Sequence, residues 1–454
     1  MKREHIFAHY EADATRYWKL CEGGYANRMS VRQGDPLTLH ISNSRSYYDI
    51  FIFHEGASRR VVRHIVGLQG KLQKVPEAGY RDGFDWAESF TFRVPHEWES
   101  GVYIASFATG QGMREILFVV RPRTPNAPLL LTIETNTYNA YNPVGGKCLF
   151  PYLSTNREHS ELLSFERPLQ PDFMGGFYAW DQFFTSWLHA EGYEVDYCVN
   201  ADHDAEPDLL DSYRAHLRIA HGEYTSRREC EQLQHFVQRG GNLMVFAGNA
   251  FWHQVETRAD GRQLYCAKTR YHENPLGTVD DPTTSFLCAI DALRQKTIGV
   301  SYTAAVNAKT EVPGTFLAPT TGEYGFYRVT DPDHWAFEHT GLAEGAEFGR
   351  DDSIVGVECD GGDLAFVEGR PHFTGDDGIS PQYHILALAD AVDAGLNLDL
   401  GIHQERFYST VAINETEFPG TVFTAATIEW AHGLYRDAGA VSQITRNVLN
   451  RLGC

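Results

Sequence analysis

Residues 217–229 read Leu-Arg-Ile-Ala-His-Gly-Glu-Tyr-Thr-Ser-Arg-Arg-Glu. The short apolar run Leu217–Ala220 is the signature of a buried strand. It ends in His221-Gly222-Glu223-Tyr224. Ser226 and Glu229 then make an S-x-x-E capping box, which opens a helix. That helix sets Cys230, Leu233, Phe236 and Val237 on one face and stops at Gly240-Gly241. A His and a Glu therefore stand where a strand hands over to a helix. In open α/β sheets ligands bind at that edge.

The same alternation continues on both sides. Leu129–Glu134, Glu194–Val199, His216–Ala220 and Asn242–Ala247 read as strands. Trp180–Glu191, residues 227–239 and Val441–Leu452 read as helices. Phe183, Phe184, Trp187 and Leu188 form the apolar face of the first helix. Such alternation predicts an α/β fold with a doubly wound parallel sheet. Further upstream the chain is rich in strand signals: Pro36–Ile41, Tyr47–His54, Arg59–Val66, Ser89–Val94, Val102–Phe107 and Glu115–Val120. This spacing predicts a β-sandwich. The expected domains are a sandwich at 1–122, a Pro-rich linker at 123–128 and an α/β domain at 129–454. A strand- and loop-rich insertion is expected at about 255–380.

Composition narrows the function classes. The chain has 454 residues and a net charge of −21, which argues against nucleic acid or an anionic membrane as partner. No stretch approaches the ~18 apolar residues of a membrane span. The N-terminal residues do not resemble a signal peptide, so a cytoplasmic location is expected. Eight scattered cysteines without a C-x-x-C pair read as free thiols in a reducing compartment.

Several chemistries lack their motif: there is no G-x-S-x-G elbow, H-E-x-x-H, Walker loop or G-x-G-x-x-G. Three strand ends carry polar residues instead. After the first α/β strand comes Thr135-Asn136-Thr137-Tyr138-Asn139-Ala140-Tyr141-Asn142, an Asn-rich loop by its turn chemistry. His221 and Glu223 follow the next, and Asn249 follows Gly248 at the third. Phenol and carboxylate oxygens with a nearby His suit a hard cation, ferric iron in particular.

These residues resemble the large (beta) subunit family of N,N-dimethylformamidase. The resemblance runs from about residue 95 to the C-terminus. It rests on the Pro-rich linker, the Asn-Thr-Tyr-Asn-Ala-Tyr-Asn loop with Gly145-Gly146-Lys147, the Trp187-Leu188 helix, Asp202-His203, the His-Gly-Glu-Tyr elbow and Gly248-Asn249-Ala250-Phe251. It implies a sheet similar to the class I glutamine amidotransferase fold behind a β-sandwich. It also implies one Fe3+ held by two Tyr and one Glu, hydrolysing the C–N bond of a small amide. Glu223 falls on the ligand Glu, and Tyr138 or Tyr141 on the first Tyr. At the second Tyr this chain has Cys148-Leu149-Phe150. Phe cannot ligate a metal; Tyr152, on the same face of an extended segment, takes its place, with Tyr178 a weaker substitute. His221, Asn249, Lys268 and Glu358 fall on further polar site residues. Their expected roles are acid–base work for His221 or Glu358, oxyanion donation for Asn249, and substrate anchoring or carboxylate tuning for Lys268.

A homo-oligomer is expected, and the resemblance implies a small accessory subunit. Two other readings compete with the amidase. One is a non-hydrolytic binding protein with a degenerate metal site. The other is a metal-independent lyase or isomerase using His221 and Glu223.

Overall fold

The computed structural model describes residues 14–169, 176–267, 292–301, 307–308, 325–356, 358–392, 407–434 and 439–453. The chain divides into two compact units. One comprises Met1–Ala127, Ile133–Glu206 and Val255–Thr269; the other comprises Pro128–Thr132, Pro207–Gln254 and Arg270–Cys454.

The first unit begins with two sheets. Strands β1 (Gly23–Ala26), β3 (Pro36–Ser42) and β6 (Glu88–Arg93) form the smaller, in the order β1-β3-β6. The larger runs β2-β8-β7-β4-β5, from β2 (Ser30–Arg32), β4 (Tyr47–Glu55), β5 (Arg59–Gln69), β7 (Gly101–Thr109) and β8 (Gly112–Arg121). Alternation along Tyr47–Glu55 turns Ile50 and Ile52 inward. They join Leu37 and Leu39 of β3, Phe92 of β6, and Phe107 and Phe118 in one core between the sheets. Each such side chain stabilises the sandwich by about 1.5–3 kcal/mol.

Helix α1 (Thr135–Ala140), α2 (Asp181–Glu191) and α3 (Asn200–Ala205) belong to that unit as well. The Asn-rich segment expected as a loop is thus a helix, with all six residues buried. Tertiary burial overrides the turn preference of Asn here. α2 buries Phe184, Trp187 and Leu188 and ends at left-handed Gly192, while Phe183 is only half-buried.

In the second unit, β9 (Leu129–Ile133), β10 (Ala215–His221), β11 (Asn242–Gly248) and β16 (Val422–Ala425) run parallel. Every residue of Leu129–Ile133 and Ala215–His221 is buried, as both faces of a parallel strand require. Beyond β16 the sheet changes direction. β12 (Tyr327–Val329), β13 (Glu347–Phe348), β14 (His384–Val392) and β15 (Phe407–Asn414) continue it antiparallel, in the order β16-β15-β14-β12-β13. The sheet is therefore mixed, not uniformly parallel. Two of these strands come from the stretch expected as an insertion.

Helix α4 (Arg227–Gln238) follows the elbow, α5 (Leu293–Ile298) lies further along, and α6 (Ala440–Leu452) buries Val441, Ile444, Val448, Leu449 and Leu452. Ser226 caps α4 by accepting from the Glu229 amide at 3.0 Å. The Glu229 carboxylate has a second task. It accepts from Arg218 at 2.5 Å, both side chains wholly buried. An arginine inside a strand buried on both faces must find a carboxylate, and Glu229 supplies it.

Candidate active site

Register brings the polar strand ends of the second unit together. Ala215 pairs with Asn242 and His221 with Gly248, so the elbow and Asn249 leave the sheet side by side. A third segment crosses the same edge, where Cys359 bridges Thr427 and the Ile428 amide donates to the Glu358 carbonyl at 3.2 Å. Gly248 permits the crossing: a Cβ there would stand 2.5 Å from the Glu358 carbonyl oxygen. Sequence positions 221–223, 248–249 and 358 thus meet at one place.

The side chains form a buried series of alternating charge type. His253 Nε2 lies 3.6 Å from Glu223 Oε1, Glu223 Oε2 lies 3.4 Å from His221 Nε2, and His221 Nε2 lies 2.9 Å from Glu358 Oε2. These are ion-pair separations, the shortest of them between His221 and Glu358. Burial alone would push the His221 imidazole down. The Glu358 and Glu223 carboxylates overcome it and raise its pKa to about 10, so the ring carries a proton at neutral pH. The His253 ring stacks on Tyr224 at 5.2 Å between centroids.

Left-handed residues stand at this edge. Ala220, Asn249 and Phe251 have φ of 60°, 46° and 57°. A left-handed non-glycine residue costs about 1–2 kcal/mol, with Asn the least penalised. Such outliers cluster at functional sites. The loop is stitched down: the Phe251 amide donates to the Gly222 carbonyl at 2.8 Å, and the Trp252 and His253 amides donate to the Glu223 carbonyl at 3.0 and 2.9 Å. Asn249 is buried, and its Oδ1 has no hydrogen-bond partner among the described residues. Rotation of the amide exchanges its O and N ends, so the open end can also be a donor.

Of the expected site residues, His221, Glu223, Asn249 and Glu358 converge within the second unit. Lys268 lies outside the described residues. The tyrosines belong to the first unit. Tyr138 is on α1, buried, with no partner of hydrogen-bond geometry at its Oη. Burial, with the Asp181 and Glu134 carboxylates nearby, pushes its phenol well above the ordinary value. Tyr141 caps the C-terminus of α1. Its ring packs 5.6 Å from that of Phe150, which in turn lies 5.5 Å from Tyr152. Tyr152 does not sit on an extended segment: Pro151–Leu153 is a 3-10 turn, opened by proline at its first position. The two-residue facing rule therefore does not apply to Phe150 and Tyr152. The Tyr178 hydroxyl is committed within its unit, donating to Glu115 at 2.8 Å.

Among the described residues no set of three or more His, Cys, Asp and Glu is arranged to hold a metal ion. Phenol oxygens are not among those donor types. The buried Tyr138 Oη, which the Asp181 and Glu134 carboxylates act on, fits a cation: a positive charge would relieve what disfavours the phenolate there.

Three residues at the edge escaped the sequence reading: His253, Asp360 and Arg294. His253 closes the run Asn249-Ala250-Phe251-Trp252-His253, and Asp360 lies two residues beyond Glu358. Those spacings were the available signal. Arg294 carries none.

The architecture is that of an α/β protein with a buried acid–base series at its strand ends. The chain belongs to the family described as N,N-dimethylformamidase beta subunit-like, C-terminal, a family of hydrolases whose profile matches residues 51–443. It is 25% identical over 439 residues to the N,N-dimethylformamidase beta subunit of Alcaligenes sp, covering 82% of this chain and 54% of that protein. The chain therefore spans about half the length of that relative. Among solved structures, the mmIFT52 N-terminal domain is 10% identical with a TM-score of 0.34, covering 63% of this chain and 95% of that one. An uncharacterized protein from Bacillus anthracis str. Ames is 16% identical with a TM-score of 0.13, covering 23% and 82%. Among the described residues no helix is long and apolar enough to cross a membrane.

Proposed function

We propose that this chain hydrolyses the C–N bond of a small amide, using ferric iron. The observation that carries the reading is the buried series His253, Glu223, His221 and Glu358 at the strand ends. Family membership supports the reaction class. Glu223 is the proposed donor to the metal from this edge, and the family resemblance implies Tyr138, and Tyr141 or Tyr152, as the phenol donors. The unpartnered phenol favours Tyr138 over Tyr141 as the first tyrosine. Ferric iron, when bound, supplies Lewis acidity toward water and the substrate carbonyl.

The chain's own groups move the protons. Glu358 takes one from the attacking water as the new C–O bond forms. His221 Nε2, whose proton two carboxylates hold, gives it to the leaving nitrogen as the C–N bond breaks. Asn249 donates to the developing oxyanion from its open amide end. Lys268 anchors the substrate or tunes the carboxylates. The products are a carboxylic acid and an amine. We further assign a glutamine-amidotransferase-like topology to the sheet and a homo-oligomeric assembly with a small accessory subunit.

The test is dimethylamine release from N,N-dimethylformamide by the purified full chain, with iron content and the visible spectrum. Turnover with bound iron and a tyrosinate band is the expected result. A colourless protein that stays metal-free after iron reconstitution and turns over no amide sinks the reading. Phe150 favours a second one, a binding protein with a degenerate site. Its mark is retention of formamide without turnover.

A further inference from the structure

The loop that carries Asn249 is gripped from the side opposite the elbow. The Ala250 amide donates to Asp360 Oδ2 at 3.3 Å. The Ala250 carbonyl accepts from Arg294 Nε. Arg294 Nη2 closes the triangle by donating to Asp360 Oδ1 at 2.7 Å. Arg294 and Asp360 are both wholly buried. Both hydrogen-bonding groups of one peptide residue, next to a left-handed Asn, are thus held by one ion pair. The pair reaches further: the Arg294 guanidinium lies 5.8 Å from the Trp252 ring centroid.

Stability alone is a weak reason for such a pair. Replacing a buried ion pair with packed apolar side chains is often neutral or stabilising. What the pair supplies here is geometry. Asp360 is itself anchored, its amide donating to the Ala426 carbonyl at 2.9 Å and its carbonyl accepting from the Thr410 amide at 3.1 Å. It sits two residues from Glu358, so one short segment sets both Glu358 against His221 and the grip on Ala250.

We infer that Arg294 and Asp360 are positioning residues that fix Asn249 in its left-handed conformation beside His221 and Glu223. Asn249 then meets the substrate without reorganising, as a preorganised donor must. The inference rests on the proposed amidase for its catalytic consequence, but not for the positioning itself.

The experiment compares the wild-type chain with Arg294→Met, Asp360→Asn and the conservative Arg294→Lys. Amide hydrogen exchange is read across residues 248–253, together with iron content and kcat and KM for N,N-dimethylformamide. Exchange in 248–253 should quicken about tenfold or more in Arg294→Met and Asp360→Asn, with Ala215–His221 and Arg227–Gln238 unchanged. kcat should fall about 10–100-fold at nearly constant KM and iron content, with partial recovery in Arg294→Lys. Unchanged exchange in 248–253 overturns the inference, as does a uniform rise across all segments with kcat per folded molecule preserved. If the wild type turns over no amide, the amidase reading fails and exchange alone still decides the positioning role.

Discussion

His54 in the sandwich and His221 at the sheet edge are both buried, yet they hold opposite charge. His54 lies against the Tyr103 and His189 rings, with the exposed Glu99 at 3.6 Å. Burial first, then His189, push its pKa down to about 4. His221 has two buried carboxylates and is raised to about 10. Desolvation acts on both; partners decide the sign. A packing histidine is neutral because charging it would leave an uncompensated ion. A histidine held charged among carboxylates is expensive to build, and perturbed groups of this kind concentrate at functional sites.

Substitutions at the edge break the comparison most strongly. Glu223→Ala should abolish amide hydrolysis and iron binding together, read by iron analysis and dimethylamine release. Full iron in that variant removes Glu223 from the ligand set. His221→Ala should keep iron and lower the rate by about 10²–10⁴. Glu358→Gln should act in the same direction, since it removes the nearest carboxylate to His221, at 2.9 Å. His54→Leu, at the other pole, should leave turnover unchanged.

What the sequence disclosed follows from how local each signal is. The longer strands of the sandwich and three of the parallel strands were legible because alternation and apolar runs repeat over five or more residues, whereas Gly23–Ala26, Ser30–Arg32 and Val422–Ala425 are too short to show either. α1 was not: six residues make under two turns, too few for a 3.6 period to show, and every face is buried. The antiparallel half of the sheet was hidden for another reason. Direction is set by which strands pair, and one of these pairings joins segments distant in sequence, where Arg328 lies opposite Leu388. At the site, His221, Glu223 and Asn249 could be read because each directly follows a recognisable strand. Glu358 came only through the resemblance. Arg294 and Asp360 matter through contacts with one backbone residue, Ala250, and nothing in a linear pattern marks that.

A third test concerns stability alone. Arg218 lies two residues before left-handed Ala220 in the same strand, and its guanidinium sits 4.6 Å from the Phe251 ring centroid. Glu229→Ala would leave that charge buried without its carboxylate. The expected loss is about 3–5 kcal/mol, read from the urea midpoint. Replacing both members, Arg218→Met with Glu229→Leu, should recover most of it. A single variant as stable as the wild type would show that the pair does not hold the elbow.

The smallest effects lie in the pH dependence of stability, where the two histidines should tilt opposite ends of the curve. The folded pKa of His221, about 10, exceeds the unfolded value near 6.5. Its contribution is therefore complete below about pH 6.5 and disappears as pH rises through about 10. In His221→Gln the alkaline fall in Tm should be shallower than in the wild type. For His54 the folded value, about 4, lies below the unfolded one. The unfolded chain then binds the extra proton, so stability is full above about pH 6.5 and declines as pH falls toward about 4. His189, also pushed down by burial, adds to the same acid limb. His54→Leu should flatten that limb and leave the alkaline one unchanged, as read from Tm between pH 4 and 10. If His54→Leu instead shifts the alkaline limb, or both variants shift the same limb, then the charges assigned to these two histidines are wrong, and with them the reason for setting the edge apart from the sandwich.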